Sequence, residues 1–133
     1  MSEWNYETNF DVQFRDLDAM GHVNNAVYAS YLEQARIQYI QDIVETPFTD
    51  IEAVIANLEI EFRRPIEYDE TVTVALRAGE LGATSVPIEY EIRTENGVAA
   101  TAETLLVAYD SDAGEPRPIP DDWREAIEAH ENH

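Results

Sequence analysis

Apolar residues recur along this chain in two rhythms, and the switch between them divides it into a helical part and a sheet-forming part. Phe10, Val12 and Phe14 alternate with polar neighbours, which predicts a first strand within residues 6–14, followed by a loop over residues 15–23. Tyr28, Leu32, Ala35, Tyr39 and Ile43 then fall at spacings of three and four, the repeat of one helical face. Tyr31 and Ile40 widen that stripe, so the helix is expected to be buried over a broad face. Asn24 or Asn25 supplies the cap, because a short amide side chain accepts from the orphan N–H groups of a first turn. Thr46-Pro47 predicts the end, since the residue before proline disfavours helical geometry.

Beyond Pro47 the period becomes two. Val54, Ala56, Leu58, Ile60 and Phe62 alternate with Ile55, Asn57, Glu59, Glu61 and Arg63, a half-buried strand that ends before Pro65. Val72, Val74, Leu76 and Ala78 repeat the pattern, as do Val86, Ile88, Tyr90 and Ile92. Gly79 to Gly82 turns the chain between those two strands, and Asn96-Gly97 signals a tight hairpin into the run from Val98 to Tyr109. A short capped helix is expected near residues 118–125, within a C-terminal extension that begins at about residue 112. These elements describe one α+β domain over residues 1–133, an antiparallel sheet of about five strands on a single long helix. Such a sheet has an edge and an outer face to protect, and pairing with a second copy protects both.

Composition adds one strong fact. The 28 acidic residues face 8 basic ones, a formal net charge of −20, and all the basic residues are arginine. The acids are spread from Glu3 to Glu131 with no long block, which fits adaptation of the whole protein to high salt better than a discrete acidic tail. Near 1 M salt the screening length falls to about 3 Å, and the self-repulsion of such a chain largely disappears. Nucleic acid is not expected as a partner, since neutralising phosphates takes clustered lysine or arginine. With no cysteine there is no disulfide, thiolate metal site or thiol nucleophile. The first residues lack a basic segment followed by an apolar run, and no stretch approaches the ~18 apolar residues that span a bilayer, so a cytoplasmic protein without a membrane partner is expected.

The chemistry concentrates between Asp16 and Tyr39. Asp16-Leu-Asp18 places carboxylates on a polar loop immediately ahead of a helix start, where unpaired N–H groups and a partial positive charge can stabilise a developing oxyanion. Three readings of these residues stand open: Asp16, Asp18 and His22 as metal ligands, Asp18 as a cap of the turn ending at Gly21, or a single carboxylate working in acyl transfer. Gly21 permits the positive φ that folds the loop back on the amides at 24–26. None of Ser2, Ser30, Ser85 and Ser111 lies in a Gly-x-Ser-x-Gly context, and there is no glycine-rich phosphate loop. His130 and His133 fall in an end expected to fray.

Asp16-Leu-Asp18, Gly21-His22-Val23-Asn24-Asn25, Tyr28 and Tyr31-Leu-Glu33-Gln-Ala-Arg36, continued by Phe62-Arg63-Arg64-Pro65, resemble the signature of the 4-hydroxybenzoyl-CoA thioesterase-like branch of hotdog-fold acyl-CoA thioesterases. The resemblance extends over residues 6–109 and implies a hydrolase that cleaves an acyl-CoA to free acid and thiol as a homodimer or homotetramer, without a cofactor. It implies that Asp18 is the catalytic carboxylate, as nucleophile or as general base, and that the backbone N–H near Asn25 polarises the carbonyl. His22 and the Asn25 side chain would position the loop, the substrate or water. Tyr28 and Tyr31 read as core residues or as substrate contacts through their hydroxyls, with Tyr28 taken as a substrate-binding candidate, and Arg63 and Arg64, the only adjacent basic pair, are candidates for coenzyme A phosphates. Glu33 and Arg36, three apart on the helix, read as a local ion pair or as support to the site. Two other functions fit the same fold, a dehydratase or hydratase of acyl thioesters using His22, and a noncatalytic acyl-binding dimer.

Overall fold

A computed structural model describes residues 4–47 and 52–131. Strand β1 (Glu7–Asp11) and a short 3-10 turn (Phe14–Asp16) lead into helix α1 (Asn25–Tyr39). Strands β2 (Ala53–Phe62), β3 (Thr71–Ala78), β4 (Ser85–Thr94), β5 (Gly97–Asp110) and the two-residue β6 (Glu115–Pro116) follow, and helix α2 (Asp121–Glu131) closes the chain. The sheet is antiparallel in the order β1-β3-β4-β5-β2, with β6 beside β5.

Helix α1 begins where an asparagine cap was expected: Asn24 Oδ1 accepts the Ala26 N–H at 2.9 Å. Its buried face is Tyr28, Tyr31, Leu32, Ala35 and Tyr39, packed on the inner side of the sheet against residues such as Val74, Leu76 and Ile92. The helix then widens into a π turn over Ile40–Val44 and stops at Glu45, whose φ of 61° is left-handed. The wider winding advances the chain by one residue, so the buried position passes from the expected Ile43 to Val44.

The strand periods hold best in the middle of the sheet. Val72, Val74, Leu76 and Ala78 of β3 and Val86, Ile88, Tyr90 and Ile92 of β4 are all buried. Strand β2 departs from expectation in two ways. It is exposed at nearly every residue because it is an edge strand of the sheet. A bulge between Ile55 and Asn57 also changes its phase, so that Ile55 and Ala53 register with the buried Leu106 and Ala108, where Leu58, Ile60 and Phe62 register with Thr104, Ala102 and Ala100. The β4–β5 hairpin turns on Glu95-Asn96, one residue earlier than expected, because Gly97 with φ 116° already pairs with Thr94.

Helix α2 is longer than the sequence implied and is docked. Trp123 and Ile127 are buried, and Glu131 Oε2 accepts the Tyr39 hydroxyl at 2.5 Å and the Ala78 N–H at 3.0 Å. The His130 ring packs edge-on against Tyr39 with centroids 5.6 Å apart, so this part of the C-terminal end is held. His133 lies outside the described residues.

Candidate active site

The loop between the 3-10 turn and α1 is built by short polar bonds that leave two groups uncommitted. Asp16 closes the 3-10 turn: its Oδ2 accepts the Gln13 N–H at 2.8 Å and the Tyr31 hydroxyl at 3.0 Å. Burial, then the bond to Asp16, raises the pKa of that phenol, so Tyr31 stays a donor to the carboxylate. Asp18 Oδ1 accepts from the N–H groups of Met20 (2.8 Å) and His22 (3.2 Å), and the Asp18 N–H donates to the His22 carbonyl at 2.8 Å. Gly21, at φ 82°, makes the reversal that these bonds need. Asp18 therefore caps its own turn through Oδ1, while Oδ2 accepts no hydrogen bond among the described residues.

The start of α1 shows the same economy. The Asn24 side chain takes the Ala26 N–H, the Asn24 carbonyl takes the Val27 N–H at 2.8 Å, and the Asn24 N–H donates to the Asp16 carbonyl at 2.8 Å. Asn25 is the first helical residue, and its N–H has no acceptor among the described residues. An open donor at a helix N-terminus suits an oxygen that gains negative charge.

Asp18, His22, Val23, Asn25, Tyr28, Phe62, Arg63, Arg64 and Pro65 line one cavity of about 310 Å³. The structure thus brings together Asp18, Asn25, His22, Tyr28, Arg63 and Arg64. Tyr28 is buried, its ring edge-on to Phe62 at 4.9 Å, and its hydroxyl donates to the Arg64 carbonyl at 3.4 Å. Burial raises its pKa, which keeps it neutral. The two arginines differ. Arg63 is exposed and pairs with the still more exposed Glu61 at 2.9 Å, an interaction of roughly 0–1 kcal/mol that is easily exchanged. Arg64 also lines the cavity, and its guanidinium is engaged by Glu70 Oε2 at 3.0 Å and Thr94 Oγ1 at 2.9 Å.

Other expected partners separate. Asp16 lies in a different hollow with Phe10 and Tyr31, and no three His, Cys, Asp or Glu side chains among the described residues are grouped to hold a metal ion. Arg36 donates to the Tyr90 hydroxyl at 3.1 Å and forms no ion pair with Glu33. A larger hollow of about 520 Å³ lies across the sheet, but Glu59, Glu61, Glu89 and Glu103 line it and would repel the phosphates of a nucleotide thioester. The alternation of strands placed Phe62 in the sequence pattern without a role. Glu70 carried no signal, since it stands in an acid-rich turn with Glu67 and Asp69. No described helix is long and apolar enough to cross a membrane.

Known proteins share this fold. A thioesterase from Thermus thermophilus, solved with coenzyme A and Zn, is 38% identical, with a TM-score of 0.90 over 100% of this chain and 98% of that one. The long-chain acyl-CoA thioesterase FadM of Escherichia coli is 27% identical, covering 92% of this chain and 96% of its own length. The 1,4-dihydroxy-2-naphthoyl-CoA hydrolase of Synechococcus elongatus is 26% identical over 89% of this chain and 93% of its own. The family model described as the thioesterase-like superfamily matches residues 12–127, and the chain accordingly belongs to this superfamily of thioester hydrolases.

Proposed function

We propose that the protein hydrolyses an acyl-CoA, or a closely related acyl thioester, to the free acid and the thiol. The observation that carries this reading is the shared cavity of the Asp18 carboxylate, with Oδ2 uncommitted, and the open Asn25 N–H at the helix start. A thioester carbonyl placed between them has its oxygen held by the amide while Asp18 acts on the carbon. Asp18 does so by one of two routes. As a nucleophile it forms a mixed anhydride and releases the thiolate, and water then cleaves the anhydride. As a general base it takes a proton from water, the hydroxide adds to the carbonyl, and the thiolate departs. Both need Asp18 ionised, and neither needs a second nucleophile. A single oxyanion donor is commonly worth about 10²–10³ in rate.

Arg63 is our candidate for a coenzyme A phosphate, with His22 positioning the loop or the attacking water. We place the chain in the 4-hydroxybenzoyl-CoA thioesterase-like branch on its Asp16–Arg36 signature, and we read its charge as adaptation to a salt-rich cytoplasm. The exposed edge β2 carries Val54, Ile55, Leu58 and Phe62, each more than a third exposed, and a second copy paired along it gives a homodimer, or a homotetramer built from it. Phe62 also lines the cavity, so that partner lies beside the site.

The test is thiol release from short, medium, long and aromatic acyl-CoAs in multimolar KCl. Asp18→Asn and Asp18→Ala are expected to lose at least about 10³-fold in kcat. Wild-type rates in both variants overturn the assignment of Asp18. Turnover of an enoyl-CoA without thiol release marks a hydratase, and tight binding without turnover marks a noncatalytic acyl-binding protein. Oxygen-18 from water found on Asp18 after a single turnover marks the anhydride route.

A further inference from the structure

Glu70 is a buried carboxylate in a strongly acidic chain, and the catalytic proposal above leaves it without a role. Its residue is 5% exposed. Oε2 accepts from Arg64 Nη1 at 3.0 Å, and Oε1 accepts from the Glu67 N–H at 3.0 Å and Arg64 Nη2 at 3.4 Å. Arg64 is itself bound to Thr94 Oγ1, which also accepts the Asn96 N–H at 3.1 Å. Glu70 thus ties both ends of the tetrapeptide Arg64-Pro65-Ile66-Glu67 across the connection from β2 to β3.

The same tetrapeptide holds the loop that carries Asp18. The Ile66 carbonyl accepts the Val23 N–H at 2.8 Å, and His22 pairs with Glu67 as an isolated bridge. The Arg64 carbonyl accepts the Tyr28 hydroxyl at 3.4 Å. Ile66 is fully buried, so the shelf cannot tilt without disturbing the core. Val23 and His22 are flanked by Asp18 and Asn25, the two groups whose separation sets where a thioester carbonyl can sit.

We infer that Glu70 is a positioning residue: it locks the shelf at 64–67 and, through Val23 and His22, fixes Asp18 relative to the Asn25 N–H. The inference rests on the reading of the site as thioester hydrolase machinery, but it has a readout that does not depend on turnover. Loss of the staple loosens the loop by fractions of an ångström. Misplacement of reacting groups by about 1 Å costs up to roughly 10² in rate.

The test compares wild type, Glu70→Gln, Glu70→Asp and the double variant Arg64→Met/Glu70→Met in 2 M KCl at 25 °C. The double variant guards against simple destabilisation, because a buried ion pair replaced by apolar residues of similar volume is often neutral for stability, whereas removal of one partner alone is strongly destabilising. Glu70→Gln is expected to lower kcat by about 10- to 100-fold with KM changed less than about threefold, and Glu70→Asp to recover part of the loss. Amide hydrogen exchange at Val23 is expected to speed up in Glu70→Gln and in the double variant while the amides of β4 and β5 keep their protection. A lower melting temperature with wild-type kcat overturns the inference, and so does unchanged Val23 exchange in the double variant. Failure of Asp18→Asn to reduce turnover would overturn the functional reading, while the exchange result would still decide the role of Glu70.

Discussion

At the scale of single residues, Asp18 carries two duties that the two obvious substitutions separate. Its Oδ1 closes a turn by accepting two N–H groups, and the carboxylate as a whole performs the proposed chemistry. Asn keeps an oxygen that can accept those bonds but loses the charge, whereas Ala loses both. Asp18→Asn is expected to melt within error of wild type, and Asp18→Ala to be less stable by about 1 kcal/mol, measured by denaturant unfolding. Equal destabilisation by both would mean that charge rather than turn closure is what the loop needs. The cavity residues were legible in the sequence because they come from two short runs, Asp18 to Tyr28 at a loop and helix start and Phe62 to Pro65 at a strand end. The fate of the Arg64 guanidinium was not legible. Its partner Glu70 is six residues away around a turn, a spacing that matches neither helix nor strand, and only the folded connection reveals the pair. Glu70 also binds the protein to a pH window. Burial opposes its charge, but Arg64, Thr94, the Glu67 N–H and Asn96 together outweigh burial and hold its pKa at about 2. The stability this confers is present above the ordinary glutamate range and is lost as pH falls through about 2.

At the scale of elements, periodicity located α1, β3 and β4 because each buries one face against the others, so the pattern of apolar positions reports real burial. It was less informative where geometry departs from the ideal repeat. The π turn at Ile40–Val44 and the bulge at Ile55–Asn57 each add a residue and shift the apolar phase, and no side-chain pattern announces either. Strand β2 is the instructive case. Its sequence alternates like a half-buried strand, yet within one chain its apolar side chains meet solvent: Leu58 and Phe62 are each 45% exposed. An alternation that the monomer does not use is what the proposed second copy would account for. Leu58→Glu is expected to leave a folded chain of monomer mass in sedimentation equilibrium, with wild type at twice that mass or four times it. A wild type that sediments as a monomer in 2 M KCl would remove the dimer from the proposal. Thiol release should fall with dissociation, because Phe62 lies both on this edge and in the cavity.

At the scale of the whole molecule, charge becomes a structural variable. Arg63, Arg64, Arg77, Arg93 and Arg124 each pair with a carboxylate, and with only 8 arginines against 28 acids most of the acids are left without a cation on the protein. The repulsion is sharpest on the outer face of the sheet, where Glu59, Glu103 and Glu89 stand directly abreast on β2, β5 and β4. Like charges directly opposite one another on neighbouring strands destabilise a sheet. Glu89 has relief from Arg77 at 3.5 Å, which itself lies 4.5 Å from the centre of the Trp4 ring. The Glu103 pKa is raised, chiefly by its hydrogen bond to Glu59 and then by the charges of Glu59 and Glu89. An acid whose folded pKa is raised favours the folded state below the ordinary glutamate range, and that advantage is lost as pH rises through the folded value. Once ionised, the row works against β2 and β5 unless salt screens it. The separations within the row are a few ångströms, comparable to the roughly 3 Å screening length of 1 M salt and far below the roughly 30 Å of 0.01 M. Glu103→Gln is expected to raise the melting temperature at pH 7 in dilute buffer, to lose most of that gain in 2 M KCl, and to give a smaller gain as the pH is lowered. Circular dichroism melts across that grid measure it directly. A gain that persists undiminished in 2 M KCl would assign the effect to packing or hydrogen bonding, and a wild-type melt indifferent to salt would overturn the reading of the −20 charge as adaptation to high salt.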